Sequence, residues 1–176
     1  EAQNYLGAMY AEGLGVAQDD VKAAEWYEKS AQQGNAEAQY NLGVMYARGR
    51  GVTQDDVKAA EWFEKSAQQG NVEAQKNLGI MYFEGLGVQQ DYRKAFGWYE
   101  QSAQQGDAEA QYHLGIMYFE GRGVQQDDVK AFEWYEQSAQ QGDAEAQYNL
   151  GMMCAEGRGV IQDDAKAVEW FEKSAQ

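Results

Sequence analysis

The chain contains no proline, one cysteine (Cys154) and one histidine (His113), and its 14 Lys and Arg stand against 29 Asp and Glu. Each shortage excludes something. A single cysteine cannot form an intrachain disulfide, so the fold is not a disulfide-stapled scaffold. Without proline, the turns are left to the 20 glycines. His113 has no Cys, Ser or second His in a catalytic pattern, and no nucleophile–base pair or metal cluster is visible. No apolar run approaches the length needed to span a membrane, and no signal peptide is recognisable. The net charge of −15 disfavours nucleic acid and anionic membrane and favours basic partners. The same charge also keeps an elongated surface soluble, and both readings stand.

What is present is a repeat. Gly7, Gly43, Gly79, Gly115 and Gly151 mark one position of a block of 36 residues, and Trp26, Trp62, Trp98, Trp134 and Trp170 mark another. The segments 37–72 and 109–144 are identical at 26 of 36 positions, with no insertion between blocks. A period of this length is the signature of stacked repeats. Apolar residues make up 44% of the chain, enough for a core that runs as a ribbon through neighbouring units. Nineteen of the 20 glycines keep the repeat phase, and only Gly97 does not.

One block can be read locally. Asn35 is placed to cap a first helix, with Glu37 near the positive end of its dipole. Ala38, Leu42, Met45 and Tyr46 then recur at helical spacing. Gly43 lies beside that stripe and allows a neighbouring helix to approach. Gly49 ends the helix, Arg50-Gly51-Val52 makes the turn, and Asp55 caps a second helix. Ala59, Trp62, Phe63, Ser66 and Ala67 form its buried face, which places the five tryptophans in the core. Glu61 and Lys65 form an i,i+4 pair outside. Cys154 fills the slot of Tyr10, Tyr46, Tyr82 and Tyr118 and reads as a packed substitute. Gly97 replaces a glutamate inside a second helix and softens the third block.

The string 37–46, Glu-Ala-Gln-Tyr-Asn-Leu-Gly-Val-Met-Tyr, with Gly49, Gly51-Val52, Gln54-Asp55, Lys58-Ala59, Glu61-Trp62-Phe63 and Ala67…Gly70, resembles the Sel-1-like repeat, a relative of the tetratricopeptide repeat. The resemblance covers essentially the whole chain. It implies an all-α fold, an α/α solenoid wound as a right-handed superhelix of five antiparallel helix pairs. It also implies a bacterial adaptor scaffold for protein complexes, exported, periplasmic or secreted, with a cytoplasmic location as the alternative. The repeats are expected at 1–34, 35–70, 71–106, 107–142 and 143–176, as one solenoid domain. A cysteine-rich branch of the family is linked to penicillin-type ligands, but its cysteine pairs are missing here, so that link does not carry over. The chain starts on Glu1 and stops short of a full last block, and it reads as a piece of a longer protein.

In tetratricopeptide-like solenoids the first helix of each pair lines the concave face. By phase, the residues expected there are Tyr40, Val44 and Arg48, then Lys76, Ile80, Phe83 and Glu84. Tyr112, Ile116, Phe119 and Glu120 follow, then Tyr148 and Met152. The first block contributes Glu1, Asn4, Ala8, Ala11 and Glu12. Two readings fit the apolar members: they form a groove with an acidic rim, suited to a peptide or protein with apolar and basic anchors, or they pack between first helices, with Phe83 and Phe119 in the core.

The Gly-x-Gly turns have neither the preceding strand nor the Lys-Ser/Thr of a phosphate loop. Paired aspartates such as Asp55-Asp56 read as caps rather than a metal site. The pattern therefore calls for no cofactor and no metal, and for a non-enzymatic binding scaffold. Two alternatives remain: an exported hydrolase or cell-wall-ligand binder, and an assembly module that associates end to end.

Overall fold

Every second helix begins behind an aspartate whose carboxylate accepts an amide hydrogen from the first turn. Asp19, Asp55, Asp91, Asp127 and Asp163 all play this part. Four of the first helices start behind Asn35, Asn71, Asp107 or Asp143, each accepting from the amide three residues on. Each first helix stops at a glycine in the left-handed region, Gly13, Gly49, Gly85, Gly121 or Gly157. These caps satisfy helix-end groups that would otherwise have no partner.

The computed structural model describes all 176 residues as ten helices without a strand. The chain is an α/α solenoid of five helix pairs. It divides into two compact units, residues 1–90 and 91–176. The first unit holds α1 (Ala2–Glu12), α2 (Asp20–Gln32), α3 (Ala36–Arg48), α4 (Asp56–Ala67) and α5 (Val72–Glu84). The second holds α6 (Tyr92–Gln104), α7 (Ala108–Glu120), α8 (Asp128–Gln140), α9 (Ala144–Glu156) and α10 (Asp164–Ser174).

In the first unit a core cluster gathers Ala23, Tyr27, Ala38, Leu42 and Met45, with Val52 packed against it. In the second the matching cluster holds Ala131, Tyr135, Ala146, Leu150 and Met153. The helix pairs close because a glycine faces an aromatic ring. A Cβ added at Gly43 would lie 2.7 Å from the Phe63 ring, inside any real carbon contact. The turn between the helices is seated just as tightly. A Cβ at Gly51 would collide with the carbonyl of Asp20 in the preceding pair, and Gly159 stands in the same relation to Asp128. Cys154 is fully buried, as a packed substitute for tyrosine should be, and burial raises its thiol pKa.

Two sequence-based expectations change. The tryptophans are half-buried, and the fully packed ring belongs to the next residue, Tyr27, Phe63, Tyr99 or Tyr135. Only one of two adjacent positions on a helix can point straight at the facing glycine, because they differ by about 100°. The tryptophan lies on the flank, and a lysine covers its outer face. Lys29 sits over Trp26 at 4.2 Å, Lys65 over Trp62 at 3.9 Å and Lys173 over Trp170 at 4.0 Å from the ring centre. That geometry attracts a cation. It also redirects Lys65, whose ammonium rests on Trp62 in place of the expected partner Glu61.

Candidate interaction surface

The candidate residues lie on the first helices, α3 and α5 in the first unit and α7 and α9 in the second. Their outward faces share one design in both units. On α3, Tyr40 leans on Phe63 with ring centres 5.9 Å apart, Val44 is half-buried and Arg48 is exposed. On α5, Lys76 takes the tyrosine's slot and its ammonium lies 2.8 Å from Glu73. Ile80 and Phe83 are half-buried and Glu84 is exposed.

On α7, Tyr112 leans on Tyr135 at 5.8 Å. Ile116 and Phe119 are half-buried against the second unit's core, while exposed Glu120 pairs with Arg122 at 2.7 Å. On α9, Tyr148 leans on Phe171 at 5.6 Å and is 49% exposed, and Met152 is 37% exposed. Burial raises the phenol pKa of Tyr40 and Tyr112.

Beneath this face runs a polar network that local pattern reading does not single out. Gln39, Gln75, Gln111 and Gln147 are buried. Each donates its side-chain amide to the carbonyl of Ala31, Ala67, Ala103 or Ala139 in the preceding second helix, at 3.1–3.2 Å. Gln39 and Gln111 also accept from Gln69 and Gln141, at 2.7 and 2.8 Å. The hydroxyls of Ser66 and Ser138 donate to Ala36 and Ala108, at 2.6 and 2.7 Å. Buried polar groups need such partners: the glutamine–alanine bonds fix how one pair sits on the next, and the glutamine–glutamine and serine–alanine bonds hold the two helices of one pair together. The available signal was a glutamine held in phase in all five blocks, directly after the buried alanine of the apolar stripe.

A second inter-pair contact lies at the turns. Arg50 Nη2 is 2.7 Å from Asp20 Oδ1, and Arg158 makes two hydrogen bonds to Asp128, at 2.9 and 3.1 Å. The Arg158 guanidinium also lies 3.9 Å from the centre of the Phe119 ring. His113 stacks on Tyr99, with ring centres 4.7 Å apart and planes 12° from parallel. No three His, Cys, Asp or Glu side chains converge as a metal site would require.

The Sel1 repeat family matches five consecutive segments, residues 1–35, 36–71, 72–107, 108–143 and 144–176. The chain belongs to the Sel1-repeat family. Among solved structures, it is similar to a protective antigen present in uropathogenic Escherichia coli strains and described as displaying an SLR fold. Identity is 42% and the TM-score 0.96, over 99% of this chain and 37% of that one. It is also similar to a Sel1 repeat protein from Oxalobacter formigenes, with 38% identity and a TM-score of 0.95, over 99% of this chain and 72% of that one. Helicobacter pylori cysteine-rich protein B is more distant, at 26% identity and a TM-score of 0.51, over 66% of this chain and 88% of that one. The chain thus spans little more than a third of the Escherichia coli antigen. No curated protein matches it in sequence. Sel1-repeat proteins generally serve as scaffolds for protein interaction, and the fold is typically non-catalytic.

Proposed function

We propose that this Sel1-repeat chain is a non-enzymatic adaptor that holds a segment of a partner protein on the first-helix faces of its units. One observation carries the reading. Val44 and Ile80 in the first unit, and Ile116 and Met152 in the second, occupy one phase of the repeat and none of them is buried. Around them lie Tyr40, Lys76, Tyr112 and Tyr148, the positions that vary between blocks, and Phe83 and Phe119 sit one turn further on. Arg48, Glu84 and Glu120 stand at the exposed helix ends. Apolar residues framed mostly by carboxylates suit a segment that offers apolar anchors and basic side chains.

The test is site-specific photo-cross-linking. A cross-linker placed at Val44 or Met152 is expected to capture a polypeptide partner from the source cell, and the same group at Val129, exposed on α8, is not. Equal capture from Val129 would move the binding surface away from the first helices.

A further inference from the structure

In the first unit, α1, α2 and α3 enclose a cleft of about 190 Å³. The matching place in the second unit, between α7, α8 and α9, retains only about 40 Å³. The linings differ at two repeat positions, Val44 against Met152 and, with the larger change in volume, Ala11 against Phe119. The first cleft has Ala11 where the second has Phe119, whose ring fills the space and carries Arg158 on its face. Arg50, the counterpart of Arg158, meets an alanine there, and both arginines are paired with the aspartate of the preceding pair, Asp20 and Asp128.

The chemistry of the open cleft is specific. Ala11, Val44 and Met45 give it an apolar wall. Glu12, Asn41 and Tyr27 are the oxygen-bearing side chains of the same lining. The only cation in the lining, Arg50, is bound to Asp20 at 2.7 Å. Glu37, on α3, accepts from the Asn4 side chain at 3.1 Å. Counting Glu12, Asp20 and Glu37 against Arg50 and Arg48, the surroundings keep a net charge of about −1.

We infer that the cleft between α1 and α3 is a side-chain pocket for a lysine of the bound partner segment. This rests on the first-helix reading above. The lysine's aliphatic stem lies along Ala11, Val44 and Met45. Its ammonium, a compact charge with three donors, meets the Glu12 carboxylate, the Asn41 carbonyl oxygen and the Tyr27 hydroxyl. A guanidinium suits the place less well, because its planar fork is matched to paired carboxylate oxygens presented squarely to it. The second unit cannot bind a lysine in this way, because Phe119 occupies the place of the stem.

The probe is Nα-acetyl-lysine methylamide, titrated into the full chain and followed by methyl NMR at Ala11, Val44 and Met45. Saturable shifts are expected at those methyls, and the Ile116 and Met152 methyls of the second unit should stay still. The norleucine analogue, with the stem and no charge, is expected to bind at least about fivefold more weakly. The advantage of lysine should shrink as salt is raised. Glu12→Gln should remove that advantage and leave norleucine binding unchanged. Ala11→Phe, which installs the residue native to the second unit, should abolish both.

Equal binding of the two amides, or lysine shifts that survive Ala11→Phe, overturns the pocket. The photo-cross-links judge the underlying reading separately. Cross-linking at Val44 without lysine binding leaves the first-helix face standing and removes the pocket. Lysine binding without cross-linking removes that face as a protein-binding surface and leaves the pocket as a site for a free cationic ligand, which overturns the partner lysine.

Discussion

The side-chain amide of Gln111, on α7, donates to the main-chain carbonyl of Ala103, at the end of α6, across 3.2 Å, and accepts from Gln141, the residue that caps the end of α8, at 2.8 Å. One buried residue thus ties three helices. Gln111→Ala removes both bonds while the Ala103 carbonyl keeps the Gly106 amide as a donor, and each lost bond costs about 0.5–1.5 kcal/mol. The expected result is a lower urea midpoint for the variant. Gln137→Ala, at an exposed position of α8, should stay within about 0.5 kcal/mol of the parent.

Glycines inside helices divide into two kinds, and substitution by alanine should separate them. At Gly43 an added methyl meets the Phe63 ring at 2.7 Å, so Gly43→Ala must push apart α3 and α4. Overpacking of this kind costs about 1–3 kcal/mol. At Gly97, in the middle of α6, an added methyl meets nothing within 4 Å. Gly97→Ala should therefore stabilise the helix by about 1 kcal/mol through propensity alone. Thermal midpoints moving in opposite directions would confirm the division.

The arginine–aspartate contact at the turns can be installed where it is missing. Leu86 holds the position of Arg50, and the neighbouring Gly87 is seated on the carbonyl of Asp56, as Gly51 is on that of Asp20. Leu86 is 46% exposed. Leu86→Arg should form an ion pair with Asp56 and add up to about 1 kcal/mol, less at high salt. A double-mutant cycle with Asp56→Asn measures it, and a coupling near zero would show that the turn does not aim the new side chain at Asp56.

Alkaline pH should weaken the fold before it affects much else. Burial pushes the phenol of Tyr135 well above its ordinary value, and raises Tyr27, Tyr40 and Tyr112 as well. For such groups the unfolded chain loses its protons first, so the stabilisation is complete below about pH 10 and declines above it. Denaturation midpoints should begin to fall above about pH 8.5, where the unfolded Cys154 thiol ionises first, and fall more steeply beyond about 10. Tyr135→Phe should blunt that fall, although it also removes the Tyr135 hydroxyl from its surroundings.

Most of the fold was legible because its determinants are local. Asn35, Gly49 and Asp55 announce helix ends by their own chemistry, and the spacing of Ala38, Leu42 and Met45 shows which face turns inward. The structure departs from that reading where an outcome depends on residues far apart in the chain. Whether Trp62 or Phe63 takes the centre of the core is decided by Gly43 on the facing helix. The role of Gln39 depends on the Ala31 carbonyl in the preceding pair. The candidate surface shows the same division. Repeat phase names Tyr40, Val44 and Met152 as members of one face, but the space beside Val44 depends on Ala11 and Tyr27 together, and no short window contains both.

The spacing of the polar ties has a bearing on how such a chain can change length. Gln39 reaches back 8 residues to Ala31, while Ser66 reaches back 30 to Ala36 and Arg50 back 30 to Asp20. Every one of these offsets is kept when a stretch of 36 residues is removed or duplicated, whatever the phase of the cut. A gain or loss of one residue inside α3 instead turns everything beyond it by about 100° and separates Gly43 from Phe63. Replication errors in the gene are therefore filtered by arithmetic: whole blocks can be added or lost with their joints intact, and shorter slips break the joint in which they fall.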